Sequence, residues 1–245
     1  MDIAGRPMQV HPVAPELTQR YAALHQNLQP SARSWVEEQA HIESKNPKPD
    51  LAALENQVRA RFATSLAKGK SSGAKTIMSG TQVQAGQDIE AMTFVVLMQA
   101  VNNSDQDLQQ IMNETKAISG AKDRLRAAAQ QAGRESASVN GATAKQPCRV
   151  QICQTLPGEL REISASTAQT RHPVRLSPPA NLTNGQLQQT VAQMNRELNS
   201  LTDLSQQLQF QLQTAMDQRS QLEQMASNVM KKQQDTSNSI LSNMK

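Results

Sequence analysis

From Leu187 onward the chain advances by alternating steps of four and three. The steps fall on Leu187, Val191, Met194, Leu198, Leu201, Ser205, Leu208, Leu212, Ala215, Arg219, Leu222, Ala226, Val229, Gln233, Thr236 and Ile240. A mean repeat of 3.5 residues is the period of a coiled-coil seam, which neither a strand nor a fully buried helix shows. Thr183 and Gln186 have the spacing of a capping box, so the helix is expected to span 183–245. At 1.5 Å per residue it would be about 90 Å long. One narrow stripe cannot hold an isolated helix in water, so the seam requires a partner. Ser205, Arg219 and Gln233 share one heptad position, two heptads apart. Polar groups there weaken packing but fix register and partner number.

A second long helix, expected over 87–133, is the partner inside the chain. Its own four-three steps give Leu97, Val101, Ser104, Leu108, Ile111, Thr115, Ile118, Lys122, Leu125 and Ala129. Ser104 and Asp107 would also suit a capping box that restarts the helix, but the register does not slip there, which favours one continuous helix. Gly120 weakens it by up to about 1 kcal/mol relative to Ala. The fold class expected is all-α: two long helices in an intramolecular antiparallel coiled coil, a loop-rich middle and an N-terminal region of short helices. The middle covers 134–182 and holds one short helix over 154–163. Upstream, prolines at 7, 12 and 15 make residues 1–14 a disordered start. The short-helix region spans 15–68, with helices at 16–28 and 32–44 split by Pro30. Asp50 is a helix N-cap, followed by an apolar face of Leu51, Leu54, Val58, Phe62 and Leu66. A Gly/Ser/Lys linker fills 69–86.

One stretch does not fit a simple hairpin. "EAMTFVVLMQAVNN" (90–103) places Phe94, Val95, Val96, Leu97, Met98 and Val101 around nearly the whole circumference of a helix. A two-helix pairing buries one face only. The uncovered side is therefore expected to be a surface for another protein. The helix-helix and assembly residues expected are Phe94, Val96, Leu97, Val101, Leu108, Ile111 and Ile118 on the first helix. On the second they are Leu187, Val191, Met194, Leu198, Leu201, Leu208 and Leu212.

Composition narrows the function classes. Only 37% of residues are apolar and 2% aromatic, with a lone Trp35 and a lone Tyr21, which suits narrow seams better than a large core. The N-terminus lacks the charged start and apolar centre of a secretory signal. No apolar run reaches membrane-spanning length, since Thr93 and Gln99 interrupt the longest. A cytoplasmic protein is the default unless export reads an uncleaved N-terminus. The formal charge is +4, but Arg59, Arg61, Lys68, Lys70 and Lys75 sit around the linker with no acid among them. No aromatic residues interleave them for base stacking, so no nucleic-acid partner is expected and a solvated linker is the reading. Contact with an anionic membrane stays open.

No catalytic constellation stands out. Glu38 and His41 form a single Glu-x-x-His; di-iron bundles need two, so a solvent-facing helix surface is expected and no metal. The histidines at 11, 25 and 172 have no ligand-like spacing. There is no phosphate-binding glycine loop and no nucleophile elbow. The chain is expected not to be an enzyme and to need no cofactor. Cys148 and Cys153 match neither a redox motif nor half a zinc site. Free thiols in a reducing compartment, or a small-loop disulfide outside it, both remain open.

Three segments in order carry a resemblance: "VVLMQAVNNSDQDLQQIMNETKAI" (95–118), "LPGELREI" (156–163) and "GQLQQTVAQMNRELNSLTDLSQQLQ" (185–209). Together, over roughly 88–215, they resemble the EspA/SseB-type secreted proteins of type III secretion systems. The resemblance implies an intramolecular coiled coil that polymerises into an extracellular filament or tip structure on the needle. It also implies signal-peptide-independent export to the cell surface, a dedicated chaperone over the apolar helix, and needle or translocator proteins as partners. The competing expectation is a cytoplasmic coiled-coil adaptor that forms a discrete dimer or trimer. A translocator-type protein that touches membranes through 94–101 is a third.

Overall fold

Proline and aspartate set where the first helices begin. In the computed structural model, which describes residues 12–69, 85–138 and 144–243, α1 (Pro15–Gln26) and α2 (Pro30–Lys45) each start on a proline. The first helical position needs no N–H donor, and the fixed φ of proline is already helical. Asp50 caps α3 (Leu51–Gly69): its Oδ1 accepts the Ala52 N–H at 2.9 Å and the Ala53 N–H at 3.4 Å. The remaining helices are α4 (Ala85–Ser138), α5 (Ile152–Ser166) and α6 (Asn184–Asn243).

The fold class is as expected: all-α, with α4 and α6 packed together and shorter helices ahead of them. α4 is continuous through Ser104 and Asp107, and the alternative restart there is not used. It also runs five residues beyond the expected end. Gly133 is tolerated inside it, and Glu135 has a task there: its Oε2 accepts the Ile152 N–H at the start of α5, at 3.0 Å. Of the expected linker, residue 69 belongs to α3 and residues 85 and 86 belong to α4. The rest of that linker (70–84), the start of the chain (1–11), and the side chains of Phe62, Leu66 and Ile240 lie outside the described residues.

The capping box at α6 forms as the spacing predicts. The Thr183 N–H donates to Gln186 Oε1 at 2.9 Å, and the Gln186 N–H donates to Thr183 Oγ1 at 3.3 Å.

The chain forms two compact units, Met1–Leu108 with Thr214–Lys245, and Gln109–Gln213. The first unit joins the beginning of α4 to the end of α6, and the second joins the end of α4 to the beginning of α6, so the two helices run antiparallel. In the first unit, α1, α2 and α3 add Leu17, Ala32, Val36, Ala40, Leu54 and Val58, and the α1–α2 link adds Leu28, to one apolar core with α4 and α6. In the second, α5 buries Ile152, Leu156, Leu160 and Ile163 along one face. Val174, Leu176 and Leu182 are buried in the segment that follows. Buried Thr167 fixes that segment's turn, its Oγ1 accepting the Val174 N–H at 2.9 Å.

Candidate functional site

The apolar turn of α4 does not offer the surface that its composition suggests. Phe94, Val95, Val96, Leu97 and Val101 are all 0% exposed, and Met98 and Ala100 are buried with them. The side that a hairpin leaves open is covered from within the chain. Val36 and Ala40 of α2, Leu54 and Val58 of α3, and Leu222, Ala226 and Val229 of α6 share one core with the run, and Leu17 of α1 joins them. Tyr21, Leu24 and Trp35 pack against its edge. This corrects the expectation that another protein covers Phe94, Val96, Leu97 and Val101. Each short helix has only a weak apolar stripe of its own, so periodicity alone did not show where the stripes would be spent.

Polar interruptions of the run are satisfied locally. Thr93 Oγ1 donates to the Ile89 carbonyl at 2.8 Å, one helical turn back. Gln99 accepts a hydrogen bond from the Tyr21 hydroxyl of α1 and donates to Asn103 Oδ1 at 3.2 Å. Polar cross-links tie the cover down further. Lys45 of α2 pairs with Asp107 of α4, Lys232 of α6 with Glu55 of α3 at 2.9 Å, and Arg20 of α1 donates to Gln233 of α6 at 2.6 Å. Exposed pairs of this kind each contribute about 0–1 kcal/mol, so burial carries the stability and the pairs set alignment.

The evenly spaced polar residues of the α6 seam are all buried: Ser205, Arg219 and Gln233. Arg219 is the strongest register device among them. Its side chain is 7% exposed and pairs with Asp105 of α4 and, at 3.1 Å, with Glu223 one turn along α6. Arg219→Ala leaves Asp105 without its partner and a hole in the seam. A buried pair broken on one side costs about 3–5 kcal/mol; both carboxylates here are about a quarter exposed, which brings the expected loss to about 2 kcal/mol. Arg219→Met, which keeps the volume but breaks the same pair, is expected to lose most of that. Urea unfolding of both variants checks this, and a Met variant as stable as the unaltered chain would contradict a register role for the charge.

Glu90, at the head of the run, is buried at 8% exposure, and its Oε2 has no hydrogen-bond partner among the described residues. Burial holds its carboxyl above the ordinary 4.5; Lys232 opposes the rise and Glu55 adds to it. A carboxyl raised in the folded state favours folding when protonated. Its penalty is therefore absent below 4.5 and grows as pH rises through the raised folded value. Glu90→Gln is expected to stabilise the first unit by on the order of 1 kcal/mol at neutral pH. The gain should shrink towards zero as pH falls to 4.5. A gain unchanged between pH 7 and that value would contradict the assignment.

The second unit holds most of the remaining seam residues. Ile111 and Ile118 of α4 are buried, as are Leu187, Met194, Leu201, Leu208 and Leu212 of α6, while Val191 and Leu198 are half-buried. Leu108, which belongs to the first unit, is buried too. A shallow cleft of about 520 Å³ opens between the 171–175 segment and α6. Arg171, His172, Arg175, Glu197 and Asp203 line it together with Leu201 and Leu204. Arg171 is engaged at its rim: its N–H donates to Glu114 Oε1 at 2.8 Å and its guanidinium lies 3.5 Å from the same carboxylate. Among the described residues of this unit, Phe210, 71% exposed on α6, and Met112 on α4 are the large apolar side chains left in solvent.

Cys148 and Cys153 form a disulfide, their Cα atoms 6.1 Å apart. Glu38 and His41 are both exposed on α2. No described helix is long and apolar enough to cross a membrane. Comparison of the chain with protein-family models, with curated proteins and with solved structures gave no match.

Proposed function

We propose that the chain is an exported structural subunit that self-assembles through the outer faces of its α4–α6 hairpin. The setting proposed is a filament or tip component of a type III-like secretion system. The observation that carries this reading is the internal cover over 94–101. A subunit that must stay apart until it reaches its assembly site has to hide its most adhesive turn, and α1–α3 take the place that the resemblance gives to a chaperone. The disulfide supports export as well, since such bonds persist mainly in oxidising compartments. The partners proposed are further copies of the chain and needle or translocator proteins.

The adaptor reading needs a free heptad seam with which to form a dimer or trimer. Here the α4 and α6 seams are buried against each other, which weighs against it.

Expression in a bacterium that carries a working type III apparatus tests the export half. The chain should appear in the medium, and should stay in the cell when the export ATPase is inactive; retention in both strains would overturn it. Negative-stain electron microscopy over a concentration series tests the assembly half. Rods or fibres that lengthen with concentration are expected, and one discrete dimer or trimer at every concentration would return the adaptor reading.

A further inference from the structure

The start of α6 is capped by a piece of chain from outside the helix, and the disulfide holds that piece in place. A helix N-terminus leaves four N–H groups without intrahelical partners. Here each has one. The Asn184 N–H donates to the Gln146 carbonyl at 3.1 Å, and the Gly185 N–H to the Ala144 carbonyl at 3.0 Å. The Gln186 N–H reaches Thr183 Oγ1 at 3.3 Å, and the Thr183 N–H reaches Gln186 Oε1 at 2.9 Å. Two of the four acceptors thus come from the strap 144–150. The strap is bonded in return through the Cys148 N–H, which donates to the Leu182 carbonyl at 2.9 Å, and bridges at Pro147 to Thr183.

Gly185 lets the strap come this close. A Cβ there would lie 3.1 Å from Ala144 Cβ and 3.2 Å from the Ala144 carbonyl oxygen. Cys148 ties the strap covalently to Cys153, the second residue of α5. The first residue of α5 is in turn held by Glu135 of α4.

We propose that the Cys148–Cys153 disulfide is a redox-operated fastener for this cap. Oxidised, it holds 144–150 against the first turn of α6. Reduced, the strap keeps its backbone hydrogen bonds but loses its covalent tether, and the first turn of α6 frays. A chain made in a reducing compartment and moved to an oxidising one would pass from the loose to the fastened form. The inference itself stands on the capping geometry and does not need the export reading.

The chemistry is ordinary thiol–disulfide exchange with a dithiol reductant. One reductant thiolate attacks the sulfur of Cys148, the less buried of the two, and the Cys153 sulfur leaves as a thiolate and takes a proton from water. The second reductant thiol then displaces Cys148 and closes the reductant's own disulfide. Two electrons pass to the protein and both cysteines end as thiols.

Amide hydrogen exchange with and without dithiothreitol tests the proposal, with alkylation to confirm that both thiols are free. Exchange at Cys148, Asn184 and Gly185 should quicken at least tenfold on reduction, while Leu97 and Val101 in the other unit stay unchanged. Unchanged exchange at those three amides with both thiols alkylated would overturn it. Cys148→Ser should exchange quickly from the start and gain nothing from reductant; slow exchange in that variant would also overturn it.

Discussion

Leu97→Asp is expected to unfold the unit built on the apolar run, not merely to release a partner from its surface. Leu97 is fully buried in a core shared by α1, α2, α3, α4 and α6. Truncating a buried leucine to alanine costs about 2–5 kcal/mol. A carboxylate there finds no cationic partner and adds several kcal/mol more unless it is protonated. The sum falls within the roughly 5–15 kcal/mol that holds a whole domain together. Circular dichroism and urea unfolding read the outcome. Loss of much of the helical signal, or a first transition moved close to zero urea, is expected. Native helicity with an unchanged urea midpoint would mean that Leu97 faces solvent in the free chain. Leu208→Asp should do the same to the second unit, where Leu208 lies buried on the seam.

Val36→Asp should have a different effect, because Val36 belongs to the cover and not to the hairpin. It is fully buried on α2 and packed into the same core as the run. A charge there is expected to dislodge α2, and with it the cross-link of Lys45 to Asp107. α4 and α6 still pair along their own seam, so most of the helical signal should survive. The run then meets solvent, where a contiguous apolar patch drives association. Strong binding of an apolar dye is expected, together with irregular aggregation at concentrations where the unaltered chain stays dispersed. A variant that stays monomeric and binds no dye would show that the cover is dispensable, and the proposed reason for it would fall.

Much of this fold was legible because coiled-coil seams advertise themselves. The four-three steps on α4 and α6, the Thr183–Gln186 capping box and the Asp50 cap all depend on spacing within one helix, and each is found in place. Even the polar seam positions could be marked in advance, because Ser205, Arg219 and Gln233 break an otherwise apolar stripe at one heptad position. Their partners could not. Asp105 lies 114 residues from Arg219, and Arg20 lies 213 from Gln233, and no local period encodes such a distance.

The same limit explains the misreading of 94–101. An all-round apolar turn shows that something must cover it, without showing whether that cover is a second protein or a distant part of the same chain. Trp35, Tyr21 and Val36 were the available signal: bulky side chains set in short polar helices, with nothing of their own to pack against. The middle segment was harder still. The strap at 144–150 owes its position to backbone hydrogen bonds and one disulfide, and backbone bonds leave little trace in residue type beyond Gly185.

The measurement that tests the central claim most directly is amide hydrogen exchange over Phe94–Val101 in the purified protein, followed across a hundredfold dilution with sedimentation at each step. If the chain's own helices cover the run, those amides should stay equally protected at every concentration, in the assembled protein and in the dissociated subunit alike. If protection falls as the protein is diluted, in step with dissociation of a larger species, the run is covered by another copy and the internal cover described here is wrong.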